Sequence, residues 1–344
     1  MAITQAPRVR SDAVPLRAYR STGRPSAMAG IGIHTPDRVV TNLDLEQMVD
    51  TSDKWIRERT GIEERRIAEP GTPTFELAAR ASRVALENAG TSAADLDMII
   101  VATSTPDGPF PSVACRLQNE LGVAGCCAMD VLAACSGFAY ALSLADAYVA
   151  AERADTVLVV GAEVLSRLVD WQDRGTCVLF ADGAGAAVVR PARGRGFLSW
   201  CLGADGRGYD KITCGNVERG AYAAEDAHPR IGMKGPDVFR FATDIFIRQA
   251  YAVAEAAGVS VEDVDLFVPH QANKRIIEAA AQRIGLPKER VMVNIDRFGN
   301  TSTATIPLAL HDALEQGRLR PGDMVLVAGF GSGLTWAACL FEWE

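Results

Sequence analysis

The sequence predicts a layered α/β protein built from two copies of one half, and two matches at a single offset carry that prediction. Gly90-Thr91-Ser92, followed by Asp95-Leu96-Asp97-Met98, is echoed 168 residues later by Gly258-Val259-Ser260 and Asp263-Val264-Asp265-Leu266. Asp155-Thr156-Val157-Leu158-Val159-Val160-Gly161 is echoed at the same offset by Asp323-Met324-Val325-Leu326-Val327-Ala328-Gly329. Two repeats in one register point to duplication rather than chance reuse of common patterns. The third observation concerns two helices, Phe138 to Ala151 and Ile306 to Leu314, which the offset pairs. They alone are apolar enough to lie between two sheets, so the predicted order of layers is αβαβα.

Taken in order, residues 1–26 read as a basic, flexible tail, with Arg8, Arg10, Arg17, Arg20 and Arg24 against Asp12 alone. Met28 to Ile33 is a strand with closely spaced glycines. A helix follows with Asn42 as its N-cap. Thr51 to Arg66 mixes charge with one tryptophan, too polar a stretch to be core. Thr74 to Ala89 is a helix closed by Gly90, and Met98 to Thr103 a buried strand. The first half spans 27–195 and the second 196–344, joined near Pro191 to Gly196. Gly203 to Gly235 lacks periodicity and reads as a long functional loop. Val325 to Ala328 and Leu334 to Glu342 are strands.

Composition limits the function. With 48% hydrophobic residues the 344-residue chain buries a sizeable core. Its net charge of -8 argues against general nucleic-acid binding, and no apolar run approaches the ~20 residues of a membrane helix. Eight scattered cysteines lack metal-ligand spacing, the usage of a reducing cytosol. A cytoplasmic protein with no membrane or nucleic-acid partner is the expectation.

The chemistry centres on Ala133-Ala134-Cys135-Ser136-Gly137-Phe138. A thiol at the amino end of a buried helix feels the positive end of the helix dipole, which favours the thiolate nucleophile. His270 ends the apolar run Leu266-Phe267-Val268-Pro269, where α/β proteins place chemistry. Asn300 immediately precedes the second buried helix, so duplication carries it to the same end of the molecule as Cys135. Gly329-Phe330-Gly331-Ser332-Gly333 looks like a dinucleotide-binding loop, but a strand follows it instead of a helix. Its glycines let backbone N–H groups approach a reacting carbonyl oxygen.

These motifs resemble the β-ketoacyl-[acyl-carrier-protein] synthase III family of the thiolase-like superfamily. The resemblance covers residues 27–344 and also rests on Thr51 to Ile56, Arg59 to Ile62, Asp173 to Thr176, Phe180 to Ala187, Pro269 to Asn273 and Gly299 to Ser302. It implies a thiolase-like αβαβα fold and an acyltransferase that condenses a short acyl-CoA primer with malonyl-acyl-carrier protein, giving a 3-oxoacyl product that initiates fatty acid synthesis. An alternative on the same fold is a starter-unit ketosynthase or acyltransferase of secondary metabolism. A Cys/His/Asn peptidase shares the residue types but not the duplication.

The resemblance also implies roles. Cys135 would take the acyl group; His270 and Asn300 would hold the malonyl thioester oxygen. The backbone N–H groups of Cys135 and Ser332 would form the oxyanion hole. Trp55 and Arg174 would sandwich the CoA adenine, Arg59 meet its phosphates and Asn273 its pantetheine arm. Phe110 would reach into the acyl pocket of a homodimer partner. Lys274, Arg275, Arg283 and Lys288 would dock the acidic carrier protein. No metal or other cofactor is implied, CoA thioester being a substrate. Pro236, Ser136 and Ser332 depart from the commoner residues at their positions.

Overall fold

A computed structural model describes residues 14–215 and 230–344. His228, the start of the basic tail and the middle of the Gly203 to Gly235 stretch lie outside the described residues. The first part of the chain runs β1 (Ala18–Arg20), β2 (Ser26–His34), β3 (Val39–Thr41), α1 (Asn42–Glu46), α2 (Asp53–Thr60), β4 (Glu64–Arg66), α3 (Thr74–Ala89), β5 (Met98–Ala102), α4 (Val113–Glu120), β6 (Cys127–Val131), α5 (Gly137–Ala150), β7 (Val157–Val164) and β8 (Asp182–Pro191). The second runs β9 (Phe197–Ala204), β10 (Ile212–Cys214), β11 (Ile231–Met233), α6 (Gly235–Ala257), β12 (Leu266–Pro269), α7 (Lys274–Ile284), α8 (Ile295–Phe298), α9 (Thr305–Glu315), β13 (Met324–Gly331) and β14 (Thr335–Glu342).

Two five-stranded sheets form, ordered β2-β8-β7-β5-β6 and β1-β9-β14-β13-β12. In each, one parallel pair, β5 with β7 and β12 with β13, is buried along its whole length and almost wholly apolar because both faces are covered. α5 and α9 fill the space between the sheets, with Phe138, Leu142, Ile306 and Leu310 among the side chains buried there. α3 and α4 cover the outer face of the first sheet, α6 and α7 that of the second. These are the five predicted layers.

The duplication survives in detail. α3 and α6 both end in a left-handed glycine, Gly90 and Gly258, a conformation that costs glycine little. β5 and β12 start at equivalent positions, as do α5 and α9. Within the sheets the copies differ at one edge: the counterpart of β6 shrinks to a single bridge between Phe267 and Val291. The second sheet gains its fifth strand instead from β1, which pairs antiparallel with β9.

That pairing corrects the reading of residues 14–26 as loose. Val14, Leu16 and Ala18 pack against the core under α6. Arg20 donates from Nε to the Ala256 carbonyl at 2.7 Å and from Nη2 to the Ala257 carbonyl at 3.0 Å, satisfying the end of α6 where a cation is favoured. Two further corrections fall nearby. Thr41, not Asn42, caps α1, in a reciprocal bond with Asp44. The charged Thr51 to Arg66 stretch also contributes core: α2 buries Ile56 and Thr60, and Ile62 and Arg65 are fully buried. Arg65 donates to the carbonyls of Val40 and Val178 and to Asn42 Oδ1, and burial lowers its pKa to about 10.

Candidate active site

One turn of 3-10 helix, Ala134–Ser136, carries Cys135 into the start of α5, and an equivalent turn, Ser302–Ala304, leads into α9. Ala134 and Ser302 occupy equivalent places, and both take positive φ, 45° and 51°, which non-glycine residues rarely adopt. Each turn packs against a fully buried strand of the other half, β13 on the cysteine turn and β7 on its twin. Glycine allows this approach. A Cβ on Gly331 would fall 2.7 Å from the Cys135 nitrogen, and one on Gly161 2.5 Å from the Thr303 carbonyl oxygen.

Cys135, His270 and Asn300 line one cavity of about 1110 Å³, together with Ser332 and a mainly apolar wall including Leu165, Val178, Ile212, Met233 and Phe330. His270 hangs from the end of β12, its N–H donating to the Ala328 carbonyl at 2.8 Å and its ring edge-on to Phe330. Nδ1 lies 2.6 Å from the Thr305 hydroxyl, whereas the buried Nε2 has no hydrogen-bond partner among the described residues. Burial lowers the ring to about 3, which holds it neutral. Asn300 is bolted across the halves by bonds between its backbone and those of Leu179 and Ala181. Its Oδ1 accepts the Ser302 N–H at 2.9 Å, which turns Nδ2 away as a free donor.

The thiol corrects the expectation drawn from the dipole. Cys135 does sit at the amino end of α5, but burial pushes it up to about 12, the nearby Glu163 adds to the rise, and a hydrogen bond with Ser302 offsets only part of it. Desolvation therefore outweighs the favourable helix end. Glu163 is itself buried, accepting from Ser104 N–H and the Thr105 and Thr303 hydroxyls, and burial raises its pKa. Among the described residues no cluster of three His, Cys, Asp or Glu could hold a metal ion.

The mouth places the remaining predicted residues less evenly. Trp55, Arg59, Arg174, Asn273 and Arg275 line the cavity. The Arg174 guanidinium lies over the Trp55 ring at 5.2 Å, and Arg174 also bonds Asp50. A flat ring between two planes needs two contact distances, ~7 Å, so the pair must part to admit one. Asn273 already caps α7 through Oδ1 and donates from Nδ2 to the Arg59 carbonyl at 2.9 Å. Lys274 packs its stem where a Gly61 side chain would lie, but Arg283 is nine residues along α7, ~14 Å away at 1.5 Å per residue, and Lys288 lies beyond the helix. Arg283 and Lys288 are thus remote from this opening. Phe110 is 84% exposed and is not part of this cavity's wall.

Several residues of the site have no signature in the sequence. Arg240, ion-paired with Asp237, joins the basic mouth from α6, and Phe239 beneath Arg275 forms part of its wall. Thr305 and Glu163 support the reacting groups from behind. Helical periodicity places Arg240 on no obvious face, but the offset pairs Thr305 with Gly137, the first residue of the other inner helix.

Comparison with known proteins accords with this geometry. The family model for 3-Oxoacyl-[acyl-carrier-protein (ACP)] synthase III matches residues 129–206, and that for its C-terminal part matches residues 254–343. Beta-ketoacyl-[acyl-carrier-protein] synthase III of Symbiobacterium thermophilum is 48% identical over 326 residues, 93% of this chain and 98% of that protein. The crystal structure of 3-oxoacyl-[acyl-carrier-protein] synthase III from Aquifex aeolicus matches with a TM-score of 0.87 at 45% identity, covering 92% of this chain and 100% of its own. The priming beta-ketosynthase of a polyketide biosynthetic pathway matches with a TM-score of 0.87 at 36% identity, over 97% of this chain and 99% of its own. With its thiolase-like fold and its cysteine, imidazole and carboxamide around one cavity, the chain belongs to the 3-oxoacyl-[acyl-carrier-protein] synthase III family of acyl-transferring condensing enzymes.

Proposed function

We propose that the chain performs a decarboxylative Claisen condensation between a short acyl-CoA primer and malonyl-acyl-carrier protein, the initiating step of fatty acid synthesis. The observation that carries this reading is the meeting of Cys135, the unpartnered His270 Nε2 and the oriented Asn300 Nδ2 on one cavity wall. Cys135 Sγ attacks the primer thioester and becomes acylated while CoA leaves. The cavity then receives the malonyl thioester, with His270 and Asn300 facing its carbonyl oxygen. As carbon dioxide departs, charge gathers on that oxygen, and fixed donors in this mainly apolar pocket stabilise it by about 3 kcal/mol each. The carbanion attacks the acyl-cysteine, whose own oxygen faces the N–H groups of Cys135 and Ser332.

Arg59, Arg174 and Arg240 give the mouth the charge to meet CoA phosphates, while Lys274 and Arg275 face an acidic carrier protein despite the net charge of -8. The protein acts in the cytoplasm without a cofactor, as a homodimer in which Phe110 enters the partner's cavity. No helix among the described residues is long and apolar enough to cross a membrane.

Incubation with acetyl-CoA should add one acetyl group by intact mass, and Cys135→Ala should add none; labelling of another cysteine would refute the nucleophile. His270→Ala and Asn300→Ala should retain acylation but lose carbon dioxide release by at least ~100-fold. Competition among acyl-CoA primers, read by product mass, separates fatty-acid initiation from priming with an unusual starter.

A further inference from the structure

His270 is tied to a residue outside the three reacting groups. Its Nδ1 lies 2.6 Å from Thr305 Oγ1, and the Thr305 hydroxyl donates to the Ser302 carbonyl oxygen at 2.9 Å. A hydroxyl has one proton. With that proton on the carbonyl, the oxygen can offer Nδ1 only a lone pair, so both contacts are satisfied together when Nδ1 carries the ring proton. The opposite assignment turns the hydroxyl toward Nδ1 and leaves its 2.9 Å contact with the carbonyl unmade. A neutral imidazole has a single N–H, so Nε2 of that tautomer presents a lone pair. This nitrogen is buried and unpartnered on a ring only 1% exposed.

We propose that Thr305 is a positioning residue that holds His270 as the Nδ1–H tautomer, so that Nε2 acquires its proton in the malonyl half-reaction and then serves as the donor to the thioester oxygen. This deepens the condensing-enzyme reading and rests on it. Acylation does not use the ring: the S–H proton of Cys135 leaves with the CoA sulfur, one C–S bond forming as another breaks. Malonyl thioester then brings a carboxylate, the opposite charge that a buried imidazolium needs, and Nε2 takes one proton from water. The bond to the carboxylate breaks, carbon dioxide leaves, and its electron pair moves into an enolate held by Nε2–H and Asn300 Nδ2. The enolate carbon bonds to the acyl carbon, the C–Sγ bond breaks, and the proton passes from Nε2 to the expelled sulfur. Each turnover consumes one proton, matching the loss of one carboxylate charge, and returns both Cys135 and His270 to their starting forms.

The test is a 15N-histidine NMR correlation on the full-length resting protein, with His270→Asn assigning the signal among four histidines. A proton on Nδ1 and a bare Nε2 support the proposal; a proton on Nε2 overturns it. Thr305→Val removes the hydroxyl, and its carbon dioxide release should fall by about 10-fold to 100-fold while Cys135 acetylation keeps its rate. Thr305→Ser should restore both the tautomer and the rate. Equal loss in the two half-reactions, or no loss in either, overturns the positioning role. Failure of wild-type protein to release carbon dioxide from malonyl-carrier protein would sink the functional reading instead, leaving the NMR result to stand separately.

Discussion

His270 shows how a single side chain links the site to the stability of the whole protein. Its pKa falls from 6.5 to about 3 through burial. Between those values the unfolded chain binds a proton that the folded chain does not, so folding is disfavoured as pH drops through the window and stability rises with pH across it. Relative to His270→Asn, the native protein should lose about 1.4 kcal/mol for each pH unit below 6.5, read by urea unfolding at several pH values. Parallel curves for the two proteins would show that the ring is not buried neutral. The place of His270 at a strand end was legible because an apolar run stops at a titratable residue. Its neutral state was not, since burial depends on Phe330 and Thr305, which lie far along the chain. The same limit governs Cys135: the helix end is visible in sequence, whereas the desolvation that opposes it belongs to the packed cavity.

At the scale of elements, the 168-residue offset made the layers and the two inner helices readable, because a duplicated pattern samples the same geometry twice. It hid the places where the copies diverge. β6 keeps its strand while its counterpart becomes one bridge. A feature the copies share was hidden too, since the turns at Ala134 and Ser302 have no glycine to announce their positive φ. Arg65 was equally hidden, because its partners are mostly backbone carbonyls, which no side-chain pattern reveals. The contact between β13 and the cysteine turn yields a sharp expectation. Gly331→Ala would place a methyl 2.7 Å from the Cys135 nitrogen and 2.9 Å from the Ala134 Cβ, so the turn must move. Acetylation of Cys135 should slow by about 100-fold, the cost of a displacement near 1 Å, with circular dichroism little changed. Acetylation at the native rate would mean that the turn absorbs the methyl without shifting the sulfur.

Among the described residues, the two most exposed large apolar side chains, Phe110 and Leu132, lie in the segments that flank one sheet-edge strand. β6 is a terminal strand of its sheet, Leu132 just beyond it is 77% exposed, and Phe110 is 84% exposed. An open strand edge with bare apolar side chains is a template for a second chain. A second copy covering this edge would bring Phe110 toward a neighbouring cavity. The proposed homodimer predicts that Leu132→Asp shifts the protein from dimer to monomer in sedimentation velocity, and a native monomer at micromolar concentration would overturn that proposal.

The strand donated by residues 18–20 binds the earliest described part of the chain to the last sheet it completes. The ancestral repeat has thereby ceased to be a separable piece: severed at the join, the later portion would present β9 as a raw border and lose the Arg20 clasp on α6. Kinship between the two copies persists in their outlines, but independence does not.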